Sequence, residues 1–509
     1  MRKMQWNFNM GIFFLFYLCA SKFQKILHVK GSILPGRSTR VHYCFPATLG
    51  NMRLSSAGVK RFYNPVRLNF TEWGNWETSI LEAVGNRKAL LMTYPQAEAS
   101  GGLFSNLRAV LGDDKMLWVA CPELPDVNEH RGMHRRVRNF VRDRDNIVIV
   151  AVGGGSVIDL AKVMSLARSQ VDFEDIFTER IAAGKHIDRL SHVPVVAVPT
   201  TAGTGSEVTP WAAVWDTQSK KKWSVQGRSL WPERAILDPS LSASCPREVT
   251  RNSALDALSH SFEAIWNVNH NPVSDVLAVA AAKGVLRHLP TVIAQDPRDG
   301  GDDEKALLLA RTGLSVASLR AGLAFSNTET ALAHAISYRI TIEQGVKHGA
   351  ACSFSLPRVL RLALEQADPT RDALFQEIFS DFMTADKLAG RRPREPYEYL
   401  EHFLNEDAGV STALEDYGIS GEVEFQERIR QALWHRPGID QTVLTVPPRN
   451  EGWMDGSSRG GSTLYREETT RRRERKASMV KEEEGEEGGR GKRLYNWKGL
   501  RQEWRISQG

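Results

Sequence analysis

Residues 146–162 read NIVIVAVGGGSVIDLAK, and this stretch decides the fold. An apolar run of strand length passes directly into three glycines and then into a helical pattern, which is typical of a buried parallel strand followed by a helix. Glycines let the chain turn sharply beside a phosphate, and the free N–H groups that open a helix attract anions. We predict a pyrophosphate-binding turn, although such a turn also serves purely structural purposes. Its residues are Gly153, Gly154, Gly155, Ser156 and Asp159.

Three further apolar runs have the same character. They are residues 89–93 (ALLMT), 116–120 (MLWVA) and 193–198 (VPVVAV). Helical or loop sequence separates them, so the pattern predicts a parallel α/β sheet covered by helices.

The run at 193–198 ends in the loop 199–209, PTTAGTGSEVT. Hydroxyl groups at the carboxyl end of such a strand lie where open α/β sheets bind ligands. An ordinary turn rich in threonine and glycine is the alternative. The candidate cofactor-binding residues are Thr200, Thr201, Thr204, Ser206 and Thr209.

Beyond residue 239 the sequence changes to long helical patterns. Asp256 and His260 are four residues apart and share one helix face, while His334 and His348 follow later. One carboxylate and three imidazoles are a suitable ligand set for a divalent first-row metal. A buried histidine paired with a carboxylate is the alternative for the first two residues alone.

The basic charge of the chain is confined to its two ends. The formal net charge is +6, but residues 1–60 carry +9 and residues 449–509 carry +4, which leaves −7 for residues 61–448. An acidic middle argues against a nucleic-acid partner. The five cysteines are scattered without a C-x-x-C spacing, which indicates separate reduced thiols.

The two ends of the chain differ from its middle. Residues 10–20 (MGIFFLFYLCA) are too short to span a bilayer comfortably but resemble a signal-peptide core, and the sequence to residue 60 has the composition of a transit peptide. We expect a plastid or mitochondrion if this extension is genuine, and the cytoplasm otherwise. Residues 449–509 are highly charged and poor in aliphatic residues, which predicts disorder.

Four motifs together resemble the iron-containing (group III) alcohol dehydrogenases: GGGSVIDLAK, PTTAGTGSEVT, DALSHSFE, and HAISY with KHG. The resemblance implies an α/β dinucleotide-binding domain at 61–243 and an all-α metal-binding catalytic domain at 244–448. It implies that the cofactor is NAD or NADP, contacted by the glycine turn, the threonine loop and Lys222. It also implies a divalent metal, Fe²⁺ with Zn²⁺ as the alternative, bound by Asp256, His260, His334 and His348.

The sequence departs from the family pattern at several positions. Tyr338 stands where many members have a further histidine, and Arg339 stands where proline is usual. Tyr94 replaces the acidic residue that NAD-preferring members have after the strand matching ALLMT. Since that carboxylate would repel a 2′-phosphate, NADP is not disfavoured here.

The stretch 264–275 resembles the phosphonoacetaldehyde reductase branch of this family. The substrate would then be a dianion, which needs a fixed cation in its pocket. Arg339 is the leading candidate, assisted by Arg251 or Lys347, and Tyr338 is a candidate proton donor. A generic short-chain aldehyde is the alternative substrate.

Two other functions compete with this prediction. A dehydroquinate-synthase-like lyase also combines a nicotinamide cofactor with a metal, and a catalytically silent family member would keep only the scaffold. We expect a homo-oligomer that binds a small aldehyde or alcohol, with no stable membrane span.

Overall fold

The structure is a computed structural model that describes residues 61–72, 74–95, 116–122, 125–142, 144–185, 187–188, 190–294 and 304–435. The predicted targeting extension, the predicted disordered tail and the end of the predicted helical domain lie outside these residues.

The first half of the described chain contains eight strands. They are β1 (Arg67–Phe70), β2 (Lys88–Thr93), β3 (Met116–Ala120), β4 (Ile147–Gly153), β5 (Val195–Pro199), β6 (Trp211–Asp216), β7 (Lys221–Gln226) and β8 (Arg234–Leu237). Six of them form a parallel sheet in the order β1-β8-β5-β4-β2-β3. β6 and β7 form a separate antiparallel hairpin.

Helices pack around this sheet and bury its central strands. They are α1 (Trp76–Val84), α2 (Val127–Val141), α3 (Gly155–Ser165) and α4 (Phe173–Ile176). Every residue of β4 is buried, which explains its continuous apolar sequence. Thr93 pairs with Val152 and Gly153 pairs with Pro199, so the carboxyl ends of β2, β4 and β5 meet at one edge of the sheet.

The second half is helical. Its helices are α5 (Arg247–Trp266), α6 (Pro272–Ala294), α7 (Glu304–Thr328), α8 (Leu332–Gln344), α9 (His348–Ser353), α10 (Leu356–Leu364), α11 (Pro369–Ile378), α12 (Ser380–Leu388), α13 (Pro396–His402) and α14 (Glu422–His435). An α/β half followed by a helical half agrees with the predicted fold class.

The helices α6 and α7 are long and apolar enough to qualify as membrane spans by composition, with mean hydropathies of 1.4 and 1.2. They pack against each other and against α5. Their buried residues belong to the largest core cluster, so they are the central helices of this half.

Glycines bring the threonine loop against the helical half. A Cβ atom on Gly205 would lie 2.5 Å from Cα of Gly322 in α7, and one on Gly203 would lie 2.7 Å from the Ser253 side chain in α5. Gly205 also has a φ of +59°, which favours glycine. The loop thus connects the glycine turn to the helix that carries Asp256.

Candidate active site

The helix α5 presents three acidic or imidazole side chains on one face. Asp256, His260 and Glu263 are separated by four and three residues, so helical periodicity aligns them. All three are buried. A buried face with this composition requires partners for its charges, because isolated ionised groups are costly away from water.

The three predicted histidine ligands converge on one carboxylate oxygen. Oδ1 of Asp256 lies 3.2 Å from Nε2 of His334, 3.7 Å from Nε2 of His260 and 3.8 Å from Nε2 of His348. α8 supplies His334 and the first residue of α9 is His348. The structure therefore brings together all four residues predicted as metal ligands.

Two residues extend this cluster. Glu263 Oε2 lies 2.6 Å from Nδ1 of His334, on the ring edge opposite Asp256. Cys352 is buried, and its Sγ lies 3.6 Å from Nε2 of His348. Donor atoms of Asp256, His334, His348 and Cys352 all lie within 4.8 Å of one another.

Burial and charge fix the protonation states of the cluster. Burial alone raises the pKa of Asp256, but the surrounding imidazoles and the hydrogen bond from His334 hold that pKa well below its usual value. Burial lowers the pKa of His260 to about 4. Burial and the neighbouring Lys222 charge also lower the pKa of His348 well below its usual value. His260 and His348 are therefore neutral imidazoles, the form that binds metals.

This cluster fits a divalent metal ion. When a metal ion binds nitrogen and oxygen at about 2.05 Å in tetrahedral geometry, the two donor atoms are about 3.4 Å apart. The distances from Asp256 Oδ1 to the three imidazole nitrogens are close to this value. The hydrogen bond to Glu263 occupies Nδ1 of His334 and leaves Nε2 available as a ligand. Burial lowers the pKa of His334, but the neighbouring Cys352 and Glu263 and the hydrogen bond to Asp256 raise it well above its usual value. The cluster therefore favours a positive charge, which a divalent ion would supply in place of that proton.

An aromatic stack connects the cluster to the β6–β7 hairpin. The ring of Phe325 in α7 lies 4.0 Å from the His260 ring and 5.5 Å from the Trp211 ring, measured between centroids. The His260 ring in turn stacks on His334 at 4.6 Å. These contacts hold the imidazole planes in a fixed orientation.

Lys222 and Tyr338 lie beside the cluster. Lys222 Nζ, on β7, is 4.3 Å from the Tyr338 ring centroid, and that ring stacks on His348 at 6.0 Å. Lys222 therefore lies beside the metal cluster. Its contact with the cofactor, which the family resemblance implies, stays a prediction.

The structure does not bring Arg339 to this cluster. The Arg339 side chain is 58% exposed, and its Nε lies 3.2 Å from Oε1 of Glu343, one turn further along α8. A helix rotates by about 100° per residue, so the neighbour of Tyr338 faces another direction.

The glycine turn and the threonine loop are in direct contact. The backbone N–H of Thr200 donates to the carbonyl oxygen of Gly153 at 3.0 Å. A Cβ atom on Gly154 would lie 3.2 Å from Oγ1 of Thr201, and one on Gly155 would lie 2.5 Å from Cγ2 of Thr204. The start of α3, including Ser156, thus faces the hydroxyl groups predicted to bind the cofactor.

Other predicted cofactor residues are already engaged with a buried lysine. Lys162 Nζ donates to Oγ of Ser206 at 2.8 Å, to Oγ1 of Thr209 at 3.2 Å and to the carbonyl of Trp211 at 2.7 Å. Asp159 accepts a hydrogen bond from Ser206 at 2.5 Å. These bonds fix the threonine loop to α3, a structural role that the sequence did not reveal.

Sequence reasoning missed Glu263, Cys352 and Lys162. Each had a signal in helical spacing: Glu263 is seven residues after Asp256, Cys352 is four after His348, and Lys162 is three after Asp159. A single cysteine or lysine cannot be assigned a role from sequence, because the role depends on which residues surround it in the fold.

A parallel sheet with a glycine turn at its edge, facing a buried carboxylate–imidazole cluster, defines a nucleotide-linked metalloenzyme. Residues 74–239 match the family described as iron-containing alcohol dehydrogenase, and residues 250–439 match the description "Fe-containing alcohol dehydrogenase family, C-terminal". The chain belongs to the iron-containing alcohol dehydrogenase family and is an oxidoreductase acting on CH–OH groups.

Three known proteins illustrate the similarity. An alcohol dehydrogenase from Thermococcus barophilus is 34% identical over 63% of this chain and 78% of the relative. A phosphonoacetaldehyde reductase from Streptomyces viridochromogenes is 37% identical over 42% of this chain and 52% of the relative. The structure of sulfoacetaldehyde reductase from Bifidobacterium kashiwanohense in complex with NAD+ aligns with a TM-score of 0.61 at 26% identity, over 76% of this chain and 94% of that one.

Proposed function

We propose that this enzyme reduces phosphonoacetaldehyde to 2-hydroxyethylphosphonate, using NADH or NADPH. The observation that carries the chemistry is the convergence of the His260, His334 and His348 rings on Asp256 Oδ1, within 3.8 Å. These four residues would hold the metal. When bound, the metal supplies a Lewis acid for the aldehyde oxygen and the reduced nicotinamide supplies the hydride.

The protein's own residues orient the substrate and deliver a proton. Tyr338 is our candidate proton donor because its ring stacks on His348, next to the cluster. Its phenol would donate a proton to the former aldehyde oxygen, which completes the alcohol, and solvent would return a proton to the phenolate. Burial of Asp256, His260 and His334 excludes bulk water, which strengthens electrostatic interactions in the cleft.

A cation beside the cluster supports an anionic substrate. Lys222 Nζ lies 4.3 Å from the Tyr338 ring centroid, whereas Arg339 is occupied on the exposed surface with Glu343. We therefore assign phosphonate recognition to Lys222 in place of Arg339. Lys347, directly before His348 at the start of α9, is a second candidate.

The relatives support this substrate class. Phosphonoacetaldehyde and sulfoacetaldehyde, named for two of the similar proteins, are both two-carbon aldehydes with a tetrahedral anionic group. The overlap with the phosphonoacetaldehyde reductase covers 52% of that relative, so the choice between the two anions is part of the proposal. The second candidate function is reduction of an uncharged short-chain aldehyde, as the similarity to an alcohol dehydrogenase suggests.

The test measures consumption of reduced cofactor with phosphonoacetaldehyde, sulfoacetaldehyde and acetaldehyde, each with NADH and with NADPH. We expect the highest kcat/KM with phosphonoacetaldehyde. A sulfoacetaldehyde preference would retain the anionic substrate class but replace the substrate. Equal kcat/KM for all three aldehydes would refute anion recognition and favour the uncharged substrate.

Variants of two adjacent lysines locate the anion site. Lys222→Gln should raise KM for phosphonoacetaldehyde at least tenfold, corresponding to about 1.4 kcal/mol, with little change for acetaldehyde. Lys221→Gln is the matched control, since Lys221 is exposed on the same strand and lies over the Trp223 ring. If Lys222→Gln raised only KM for the cofactor, the family-based assignment of Lys222 to the cofactor would be correct.

A further inference from the structure

We propose that two buried histidines, His130 and His134, make the position of the β6–β7 hairpin sensitive to acid. As neutral rings they hold the hairpin, which carries Lys222, against α2, and when they are protonated the hairpin separates from α2. This separation does not depend on which reaction the enzyme catalyses. Its consequence for substrate binding rests on the role of Lys222 in the proposed function.

An aromatic cluster joins α2 to the hairpin. The His130 and His134 rings lie 5.9 and 5.8 Å from the Phe173 ring of α4, measured between centroids. The Phe173 ring lies 6.0 Å from that of Phe177, which lies 5.9 Å from the Trp223 ring on β7. The two histidines are four residues apart and therefore share one face of α2. The cluster thus connects this helix face, through α4, to β7.

The hairpin is also bound to α2 at its turn. Asp126, the N-cap of α2, accepts hydrogen bonds from the backbone N–H and from Oγ1 of Thr217, both at 2.8 Å. Neighbouring side chains on a strand point to opposite faces, so Trp223 enters the aromatic cluster while Lys222 faces Tyr338. A displacement of β7 from the cluster would therefore also move Lys222.

The closed arrangement accepts the two imidazoles only as neutral rings. Both side chains are buried, and among the residues that the structure describes neither Nε2 atom has a hydrogen-bond partner. Nδ1 of His130 lies 2.9 Å from the carbonyl oxygen of Asp126, which can only accept, so this nitrogen carries the proton. Protonation would place an N–H at Nε2 without an acceptor and without water, which is costly. Burial accordingly lowers the pKa of His130, and it lowers that of His134 to about 4.

The charged groups around the pair are already engaged. The acidic groups that face the two rings are Asp126 and Glu129 on α2, Asp159 on α3 and Asp172 before α4. Asp126 and Glu129 accept backbone N–H groups at the start of α2. Asp159 accepts bonds from Ser206 and Ala213. The cations on α2 and the adjoining elements also have partners: Arg138 with Asp172, Arg131 with Glu174, Arg168 with Asp145, and Lys221 with the Trp223 ring.

The direction of the pH effect follows from proton linkage. A histidine whose pKa is lower in the closed state than in the open state takes up its proton on opening, so acid favours the open state. For His134 the pKa is about 4 when closed and 6.5 when exposed. The open fraction should therefore rise about tenfold between pH 7.5 and pH 5.5.

Hydrogen exchange of the full-length holoenzyme tests this opening locally, whereas melting would sum the titration of every buried group. Exchange in β7 and in β4 is measured at pH 7.5 and 5.5 and corrected for the intrinsic rate. In the wild type we expect corrected exchange of β7 to be about tenfold faster at pH 5.5, with little change in β4. His402→Gln, at an exposed histidine on α13, is the control and should behave like the wild type.

Two kinds of variant remove the titration. His134→Phe keeps an aromatic ring but takes up no proton, so β7 should respond less to acid, and least in the double variant His130→Phe/His134→Phe. His134→Leu is the second variant if the larger ring prevents folding. An absent response in the wild type, an equal response in the His134 variants, or an equal rise of exchange in β4 would overturn the proposal.

Kinetics separate this proposal from the proposed function. Between pH 7.5 and 5.5, KM for phosphonoacetaldehyde should rise more in the wild type than in His134→Phe, and kcat should differ less between the two enzymes. Acid-sensitive exchange of β7 without any aldehyde reduction would refute the proposed function alone. Reduction of phosphonoacetaldehyde without acid-sensitive exchange of β7 would refute the role of the histidines alone.

Discussion

Glu263 Oε2 lies 2.6 Å from Nδ1 of His334, and both side chains are buried. The same carboxylate accepts the backbone N–H of Ala331 at 2.8 Å and that of His334 at 3.1 Å. These bonds fix the carboxylate and thereby orient the His334 ring, so that Nε2 faces Asp256. Such carboxylate–histidine pairs orient metal ligands and increase their basicity.

We expect Glu263→Gln to lower the affinity for Zn²⁺ or Co²⁺ by about 10- to 100-fold, because the fixed negative charge behind His334 is lost. Competition against a chromophoric chelator measures this affinity. Asp275→Asn is the matched control, since Asp275 is buried and pairs with His270 at 3.1 Å outside the cluster. An equal loss of metal affinity in both variants would indicate general destabilisation and would contradict a specific role of Glu263.

Because the glycine turn packs against the threonine loop, we expect a larger side chain in the turn to weaken cofactor binding. Gly155→Ala should raise the Kd of the reduced cofactor about tenfold, because the new Cβ would lie 2.5 Å from Cγ2 of Thr204 and displace that side chain. Isothermal titration with NADH and NADPH measures the change. Gly132→Ala in α2 is the control, since a Cβ there meets nothing within 4 Å and should stabilise the helix by roughly 0.5–1 kcal/mol. Unchanged cofactor binding by Gly155→Ala would exclude the turn from the cofactor site.

Tyr94 directly follows Thr93, the last residue of β2. Thr93 pairs with Val152, which directly precedes the glycine turn. We expect Tyr94→Asp to lower kcat/KM for NADPH relative to NADH by about tenfold or more, because a carboxylate there repels the 2′-phosphate and accepts bonds from the ribose hydroxyls. Tyr94→Asn separates the effect of charge from that of losing the ring. If the aspartate and asparagine variants had the same cofactor ratio, the adenosine ribose would bind elsewhere.

Glu207 predicts how stability depends on pH. Burial raises the pKa of Glu207 from its ordinary value of 4.5 to about 7, and the nearby Lys162 charge only partly opposes this. The folded state thus retains a proton that the unfolded state loses, so this group's contribution to stability is present below pH 4.5 and is lost as pH rises to about 7.

We therefore expect the melting temperature of the metal-free wild type to fall between pH 4.5 and about 7 relative to that of Glu207→Gln. Glu174→Gln, at a carboxylate that is 51% exposed, controls for loss of one charge. If the melting temperatures of the wild type and of Glu207→Gln changed equally between pH 4.5 and 7, the assignment would be contradicted.

Much of the sheet was predictable because burial on both faces leaves a clear apolar pattern. The run 116–120 coincides with β3, while the run 193–198 begins two residues before β5. Pro194 lies in the extra part and has no N–H to donate to a strand ladder. The edge strand β1 was not predicted because its ends are exposed and its sequence, RLNF, lacks an apolar run.

The site was predictable only as far as helical spacing and family motifs reach. The four-residue spacing places Asp256 and His260 on one face, but the bond from His334 to Asp256 joins residues 78 apart and depends on how α8 packs against α5. Cys352 and Glu263 have recognisable spacing, yet only the assembled helices give them partners. Arg339 illustrates the converse, since proximity to Tyr338 in sequence does not bring its guanidinium to the cleft.

The most direct test of the central claim is the loss of reduced-nicotinamide absorbance when phosphonoacetaldehyde is added to the full-length enzyme, before metal removal, after it, and after one equivalent of metal is returned. Net oxidation of one cofactor per aldehyde distinguishes a dehydrogenase from a lyase that regenerates its cofactor. We predict that oxidation is lost with the metal, returns with it, and is absent from His334→Ala. Undiminished oxidation in metal-free enzyme, or in His334→Ala with full metal content, would contradict the account.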